Sequence, residues 1–117
     1  MPPPPVDQLP LSVPVFQILL SLVDQDLHGY ALIRDIEART DGEVRLTAST
    51  LYGAAARLLE GGLIEELEPE PGLERRRCYR LTRPGRKLLE REAGRLARAT
   101  RWAAAKRLLP QPKGARS

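Results

Sequence analysis

The chain has 117 residues, a length that suits one modest domain, and a formal net charge of +4. Its one cysteine, Cys78, excludes an internal disulfide and is typical of a reducing compartment. The longest apolar stretch is interrupted by Gln17 and Ser21 and the N-terminus lacks a signal-peptide pattern, so a soluble, cytoplasmic protein with no membrane partner is predicted.

The first predicted elements are a tail and two helices. Clustered prolines predict a flexible tail over residues 1–10. Ser12 can cap a first helix that carries Pro14 in its first turn, and apolar residues then recur at helical spacing up to Val23. Residues 24–29 form a polar turn that ends at Gly29, and a second helix is predicted from there to Thr40.

A third helix is predicted after a turn and a very short strand at residues 44–46. Thr47 is its predicted N-cap. Gly61 or Gly62 supplies the left-handed residue that ends it. The side chains predicted to form its buried side are Leu51, Ala54, Ala55, Leu58 and Leu59.

Two strands and a long helix complete the chain. Residues 63–68 and 77–82 alternate in polarity around a loop with proline and glycine, which predicts a β-hairpin. Pro84 begins a helix predicted to reach Leu109, and residues 110–117 form a second flexible tail.

This order of elements predicts a mainly α fold with a small β-hairpin. Three helices followed by a hairpin are the layout of a winged helix-turn-helix, in which the third helix enters the major groove of DNA and the hairpin is the wing. The predicted DNA-binding domain spans residues 11–83, and residues 84–109 form a C-terminal dimerisation helix.

The third helix begins with hydroxyl side chains and exposed N–H groups, which suit phosphates and base edges. The predicted DNA contacts on this helix are Thr47, Ser49, Thr50, Tyr52 and Arg57. Each has a plainer alternative: Thr47 as a cap, Ser49 as a solvated residue, Thr50 and Tyr52 as partly buried residues, and Arg57 as a salt-bridge partner.

Two other regions favour contact with DNA. Arg75, Arg76 and Arg77 follow the hairpin loop, where guanidinium groups bind phosphate or enter a minor groove, or merely protect an edge strand. Tyr30, at the start of the second helix, can bond to a phosphate or can serve packing alone. The acidic segment at residues 65–74 repels DNA, so only the tip of the wing and its returning strand would approach the duplex.

The last helix is basic and weakly amphipathic. Small and apolar residues at heptad-like spacing predict a narrow dimerisation seam, and packing onto the first helix is a compatible alternative. The seam residues are Leu89, Ala93, Leu96, Thr100 and Ala103; Trp102, on a parallel stripe interrupted by Arg95, is also assigned to dimerisation. Basic residues from Arg86 to Arg107 favour a polyanionic partner, although a solvated helix face explains them as well.

Four stretches in order, "HGY", "LYGA", "RLLEGGLIE" and "RRRCYRLTRPGRKLL", resemble the PadR family of bacterial transcriptional regulators, over roughly Leu11 to Leu89. The resemblance implies a winged-helix repressor with a dimerising C-terminal helix, and DNA contacts at Tyr30, on the third helix and on the wing. Since the chain resembles the short subfamily, a small-molecule effector would sit at the dimer interface, beside Trp102 and Phe16.

The sequence departs from the family pattern at "TAST", residues 47–50, which implies a different base preference, and at Arg83. The leading hypothesis is a homodimer that binds an inverted repeat in double-stranded DNA. A winged-helix protein-interaction module without sequence-specific DNA binding is the alternative that the acidic segment favours. An enzyme is disfavoured because no catalytic set or metal-ligand spacing occurs, and no cofactor is predicted.

Overall fold

The computed structural model describes residues 5–69, 71–72 and 77–110. It confirms a mainly α fold with a small antiparallel sheet. The elements are α1 (Val13–Ser21), β1 (Leu27–His28), α2 (Gly29–Arg39), α3 (Ala48–Glu60), β2 (Ile64–Leu67), β3 (Cys78–Leu81) and α4 (Arg83–Ala105).

All four helices begin with a side-chain cap. In each case the capping side chain accepts a hydrogen bond from the backbone N–H three residues later, at 3.1 to 3.4 Å. The predicted caps Ser12 and Thr47 are confirmed. His28 caps α2 through its Nδ1, and Thr82 caps α4, which therefore begins one residue before Pro84. Such caps hold helix ends in place and so align α2 and α3.

The sheet has three strands rather than the two of a simple hairpin. β3 lies in the middle and pairs antiparallel with both β1 and β2. The additional strand is β1, Leu27 and His28, which lies inside the predicted turn. It was not predicted because two residues are too few to show an alternating pattern. The short strand predicted at 44–46 is wrong: Val44 and Leu46 are half-buried against the core without a ladder partner.

The core lies between α1, α2, α3, the sheet and the first half of α4. Tyr79 is its largest fully buried side chain, and burial raises the pKa of its hydroxyl. On α3 the predicted buried residues are confirmed except that Leu59 is only half-buried. The helix ends as predicted, with the left-handed residue at Gly62, whose φ is +72°. The buried core residues are Val15, Ile18, Leu19, Leu22, Leu32, Ile36, Leu51, Ala54, Ala55, Leu58, Leu63, Ile64, Tyr79, Leu88 and Leu89.

The last helix is shorter than predicted. It ends at Ala105 rather than Leu109, and Arg107 adopts a left-handed φ of 59° that no helix can continue through. Leu108 and Leu109 are exposed, so no packing against the described residues holds them in helical positions.

Residues 5–12, before α1, pack on the domain, whereas a flexible tail was predicted over residues 1–10; residues 1–4 and the predicted tail beyond residue 110 lie outside the described residues. Val6 and Leu9 lie against the core. The backbone N–H of Leu11 donates to Oε2 of Glu92 at 2.7 Å, and Arg95 donates to both oxygens of the same carboxylate. Glu92 is 2% exposed, so this buried carboxylate fastens the N-terminal segment to α4.

We expect Glu92 to make stability dependent on pH. The hydrogen bond from Arg95 is the main cause that lowers the pKa of Glu92 below its ordinary value of 4.5; burial opposes it and the Leu11 N–H adds to it. A lowered pKa means that the stabilisation is present above the unfolded-state pKa and is lost as pH falls through the folded-state pKa. Glu92→Gln should therefore cost about 1–2 kcal/mol at pH 7 and little in acid.

Urea unfolding of wild type and Glu92→Gln between neutral pH and acid measures this difference. Glu90→Gln is the matched control, because Glu90 is exposed on the same helix and makes no ion pair within the described residues. Parallel pH profiles for wild type and Glu92→Gln would contradict the assigned role.

Candidate nucleic-acid interface

One side of α3 is exposed and lined by small or hydroxyl-bearing side chains. The buried side carries Leu51, Ala54, Ala55 and Leu58, which pack into the core. The exposed side carries Ala48, Ser49, Thr50, Tyr52, Gly53 and Ala56. A helix face this low in bulk can approach another surface closely, as a recognition helix must in a major groove.

The first turn of α3 combines capping with positive helix-end potential. Thr47 Oγ1 accepts from the Thr50 N–H at 3.1 Å and donates to Thr50 Oγ1 at 3.0 Å. Thr47 is therefore the N-cap of α3, which was the alternative to a DNA contact for this residue. No acidic residue occupies this turn, so nothing within it offsets the positive end of the helix dipole. Ser49 is exposed beside it.

Tyr52 lies across the start of α2. Its side chain is 44% exposed, while Gly29 beneath it is buried. A Cβ added at Gly29 would overlap the Tyr52 hydroxyl and would lie 2.7 Å from Cζ and 2.8 Å from Cε1. The absent side chain at Gly29 therefore makes the room in which the Tyr52 ring sits, and this contact fixes α3 against α2.

Tyr30 and Arg34 extend the surface along α2. Tyr30 is 63% exposed, which excludes a purely packing role within this chain. The Arg34 guanidinium carbon lies 5.7 Å from the centre of the Tyr30 ring, within the range of a cation–π contact. Sequence reasoning did not select Arg34 as a site residue. Its position four residues after Tyr30, on the same helical face, is the signal that could have identified it.

The other arginines of the first half of the chain are engaged elsewhere. Arg57 is half-buried near the C-terminal end of α3, beside a groove with Val6 and Glu60, and so lies away from the first turn. Arg39 donates to Gln17 and Ser21, which joins α2 to α1. These placements leave the Thr47–Tyr52 half of α3 and the Tyr30–Arg34 face as the exposed polar surface of the helix-turn-helix.

The wing is only partly described. Arg75 and Arg76 lie outside the described residues. Arg77 is exposed just before β3, with its Nε 3.9 Å from a carboxylate oxygen of Glu66. Arg80 has a structural role, because it donates to both oxygens of Asp26, at 3.0 and 3.4 Å, and this hydrogen-bonded pair raises its pKa.

The predicted dimerisation residues on α4 fall into three groups. Leu89 is buried in the chain's own core, so it is not available to a partner. Leu96 is 36% exposed and shares its exposed region with Ala93, Thr100 and the half-buried Ala103. The third group is Trp102, which is 68% exposed, lies about 100° around the helix from Ala103 and borders a groove with Arg98 and Arg101. Phe16, the other residue expected near an effector, packs against the core.

Two further properties bear on the class of site. Within residues 5–69, 71–72 and 77–110, no group of three or more His, Cys, Asp or Glu side chains could hold a metal ion. No helix of the same described ranges is both long and apolar enough to cross a membrane.

A protein family and two solved structures are similar to this chain. The sequence model of the transcriptional regulator PadR-like family matches residues 18–91. The structure is similar to that of a transcriptional regulator from Clostridium thermocellum, with 29% identity, a TM-score of 0.67 and coverage of 80% of this chain and 90% of that one. A PadR family transcription regulator from Clostridium difficile is 25% identical, with a TM-score of 0.65 and coverage of 77% and 93%.

A curated relative is more similar in sequence but much longer. An uncharacterized 37.1 kDa protein in transposon TN4556 of Streptomyces fradiae is 48% identical over 81 residues, which are 69% of this chain. The chain spans only 22% of the length of that relative.

Proposed function

This chain belongs to the PadR-like family of transcriptional regulators, and from that premise we propose that it is a homodimeric repressor that binds an inverted-repeat operator in double-stranded DNA. One observation carries the proposal: the first half of α3 is exposed, capped, free of acids and low in side-chain bulk. That combination suits insertion into a major groove, and it is hard to explain as packing because none of the described residues covers it.

In this proposal α3 reads the bases. Ser49 and Thr50 supply short hydroxyls that donate to or accept from base edges. Thr47 positions the first turn by capping it, and its neighbouring N–H groups face phosphate. Tyr52 contacts DNA with its exposed edge while its ring remains seated on Gly29.

The remaining contacts are with the DNA backbone. Tyr30 donates its hydroxyl to a phosphate, and Arg34, held against the Tyr30 ring, supplies charge beside it. Arg75, Arg76 and Arg77 of the wing contact the flanking phosphates or the minor groove. Arg57 is the weakest member of the proposed set, because it lies near the C-terminal end of α3. Affinity should fall steeply with salt, by a log–log slope of roughly −0.9 per phosphate neutralised.

Dimerisation would use the exposed part of the seam. Leu96, Thr100, Ala103 and Ala93 are the residues we propose to meet the same residues of a second copy across a two-fold axis. Small side chains at the seam let two helices approach closely. The two α3 helices would then contact half-sites about 34 Å apart on one face of the duplex.

Repression would follow from occupancy of a promoter by the dimer. A small-molecule effector, where one acts, would bind between the two α4 helices and change the spacing of the two α3 helices. To do so, such an effector must bind one of the two spacings more tightly than the other.

A protein-interaction module without sequence-specific DNA binding is the second candidate. Its support is the acidic surface of β2 and the residue that follows it, where Glu65, Glu66 and Glu68 are all exposed. This surface suits a basic protein partner and would repel DNA. This second candidate function predicts no salt-dependent binding preference for any duplex.

Gly53→Gln tests the position of α3 in DNA. A Cβ added at Gly53, which is exposed, meets nothing within 4 Å, and glutamine favours a helix more than glycine does. The variant should therefore fold at least as stably as wild type, whereas its operator affinity, measured by fluorescence anisotropy, should fall tenfold or more because the added side chain fills the groove.

Gly94→Gln is the control for this variant. It makes the same chemical change in α4, where an added Cβ meets only Arg98 at 3.6 Å. Its operator affinity should equal that of wild type. Unchanged affinity in Gly53→Gln would remove the exposed face of α3 from the interface.

Leu96→Glu tests the seam. Two carboxylates facing each other across the two-fold axis would be desolvated and would repel, so the dimer should dissociate in sedimentation velocity at micromolar concentration. Leu96 is exposed enough that the monomer should keep its fold and its helical circular dichroism. Glu90→Leu, on another face of the same helix, should not change the sedimentation coefficient; an unchanged coefficient for Leu96→Glu would contradict the seam.

A further inference from the structure

The outer face of α4 carries a row of basic side chains that the proposed operator contacts do not use. With about 100° of rotation per residue, five of them project within a sector of roughly 80°. From the first to the last of them, 18 residue steps along α4, the row is roughly 27 Å long at ~1.5 Å per step. These residues, called here the basic stripe, are Arg83, Lys87, Arg91, Arg98 and Arg101.

The charges of the basic stripe are uncompensated. Within the part of the chain that the structure describes, none of its five side chains forms an ion pair or hydrogen bond, although all are exposed. Other arginines are neutralised by carboxylates: Arg39 by Asp35, and Arg80 by Asp26 and Glu65. The five positive charges are therefore left for a polyanion outside the chain.

An exposed aromatic ring lies at the far end of the basic stripe. Trp102 is 68% exposed and borders an open groove of about 370 Å³ together with Arg98, Arg101 and Ala105. A tryptophan among arginines offers a stacking face next to phosphate-binding groups. Acidic peptides provide the charge for such a site but few π-faces, whereas every unpaired nucleobase has one.

The basic stripe is separate from both surfaces of the proposed function. The Thr82 N–H and hydroxyl bond to the carbonyls of Leu63 and Gly62, so α4 begins beside the C-terminal end of α3, away from the Thr47–Tyr52 half. The seam residues Leu96 and Ala103 project roughly 140° or more from the centre of the stripe. A second copy on the seam would leave the stripe exposed.

We propose that the basic stripe and Trp102 form a second nucleic-acid site, which binds a single strand. Its phosphates follow the five basic side chains, and one unpaired base stacks on the Trp102 indole. A duplex would satisfy the charges but not the ring, because its bases are already stacked and paired. This inference goes beyond operator binding and does not depend on it.

The chain provides its own reporter, because Trp102 is its only tryptophan. The full chain is titrated with a 15-nucleotide oligo(dT), and Trp102 fluorescence is followed at low and at physiological salt. We expect saturable quenching whose apparent Kd rises with salt. Arg98→Gln/Arg101→Gln should raise that Kd at least tenfold.

Two controls separate this site from the operator face. Arg34→Gln/Arg45→Gln removes the same number of positive charges from the helix-turn-helix side, where Arg45 Nε lies 3.4 Å from Glu37 Oε1, and it should leave oligo(dT) binding unchanged. Tyr52→Ala should do the same, so that loss of operator binding and loss of strand binding are independent results.

Several outcomes would overturn the proposal. They are an absence of quenching, equal affinity in the Arg98→Gln/Arg101→Gln variant, equal quenching by a blunt duplex, and equal responses to polyglutamate or to vesicles containing anionic phosphatidylserine. A blue shift of Trp102 that follows protein concentration without any nucleic acid would also overturn it, because a second copy would then cover the ring.

Discussion

Gly85→Ala is expected to destabilise the fold by at least about 3 kcal/mol, more than the other substitutions proposed for this chain. Gly85 is buried in the first turn of α4, against the turn that follows α3. An added Cβ would overlap the Leu63 carbonyl oxygen and would lie 2.9 Å from Leu81 Cδ1. The nearest atom is backbone, so no side chain can rotate to make room.

Relief of that overlap requires α4 to move away from α3. The movement would break the bond from the Thr82 N–H to the Leu63 carbonyl at 3.2 Å and the bond from the Thr82 hydroxyl to the Gly62 carbonyl at 2.7 Å. Loss of packing around Leu88 and Leu89 would follow. A fall in Tm on the order of 10 °C by calorimetry is the expected result.

Gly94→Ala is the matched control in the same helix. An added Cβ there meets only Arg98 Nη1 at 3.6 Å, an ordinary contact. Alanine favours a helix over glycine, so this variant should gain about 0.5–1 kcal/mol. If Gly85→Ala were as stable as Gly94→Ala, the close approach of α4 to Leu63 would be wrong.

Gly29→Ala and Tyr52→Ala are expected to lower operator affinity by about tenfold or more each, which is about 1.4 kcal/mol of binding free energy. The first variant displaces the Tyr52 ring, since a Cβ at residue 29 would lie 2.7 Å from Cζ. The second variant removes the ring. Both changes act on the same contact, so their effects should not add.

The double variant tests this coupling. Gly29→Ala/Tyr52→Ala should bind operator about as weakly as Tyr52→Ala alone, because the three atoms nearest to the added methyl group all belong to the Tyr52 side chain. Tyr52→Phe separates the ring from its hydroxyl and should retain the seating on Gly29. Additive losses in the double variant, or wild-type affinity in Gly29→Ala, would show that the seating of Tyr52 does not position the DNA contacts.

The sequence was sufficient to predict the four helices and the starts of the first three. Ser12 and Thr47 are short hydroxyl residues placed directly before periodic apolar runs, which is a local signal that needs no tertiary information. The winged-helix order followed from the elements, and the family followed from four short motifs. The DNA-contact residues and the dimer seam remain predictions. Exposure supports Tyr30, Tyr52 and Leu96 among them, whereas Leu89 is buried.

Features that depend on distant contacts were not predictable. β1 exists because β3 passes beside Leu27, 52 residues further along the chain. The N-terminal segment is held by Glu92, 81 residues from Leu11. Gly29 and Gly85 are required by what packs against them, and neither has a positive φ that would have set it apart.

The end of α4 and the surface around Trp102 were not predictable either, because both depend on which residues lie nearby in space. Apolar residues up to Leu109 suggested a longer helix, but Leu108 and Leu109 are exposed. The seam was defined by heptad spacing, to which Trp102 conforms poorly. Its neighbours Arg98 and Arg101 become evident only from the surface they share.

Selection of bound duplexes from fragmented genomic DNA by the purified full chain, at low and at physiological salt, tests the central claim most directly. The account predicts enrichment of one inverted repeat with half-sites about one helical turn apart, lost in Gly53→Gln and kept in Gly94→Gln. No enriched sequence at either salt, with the protein folded and dimeric, would contradict sequence-specific operator binding and favour the interaction module.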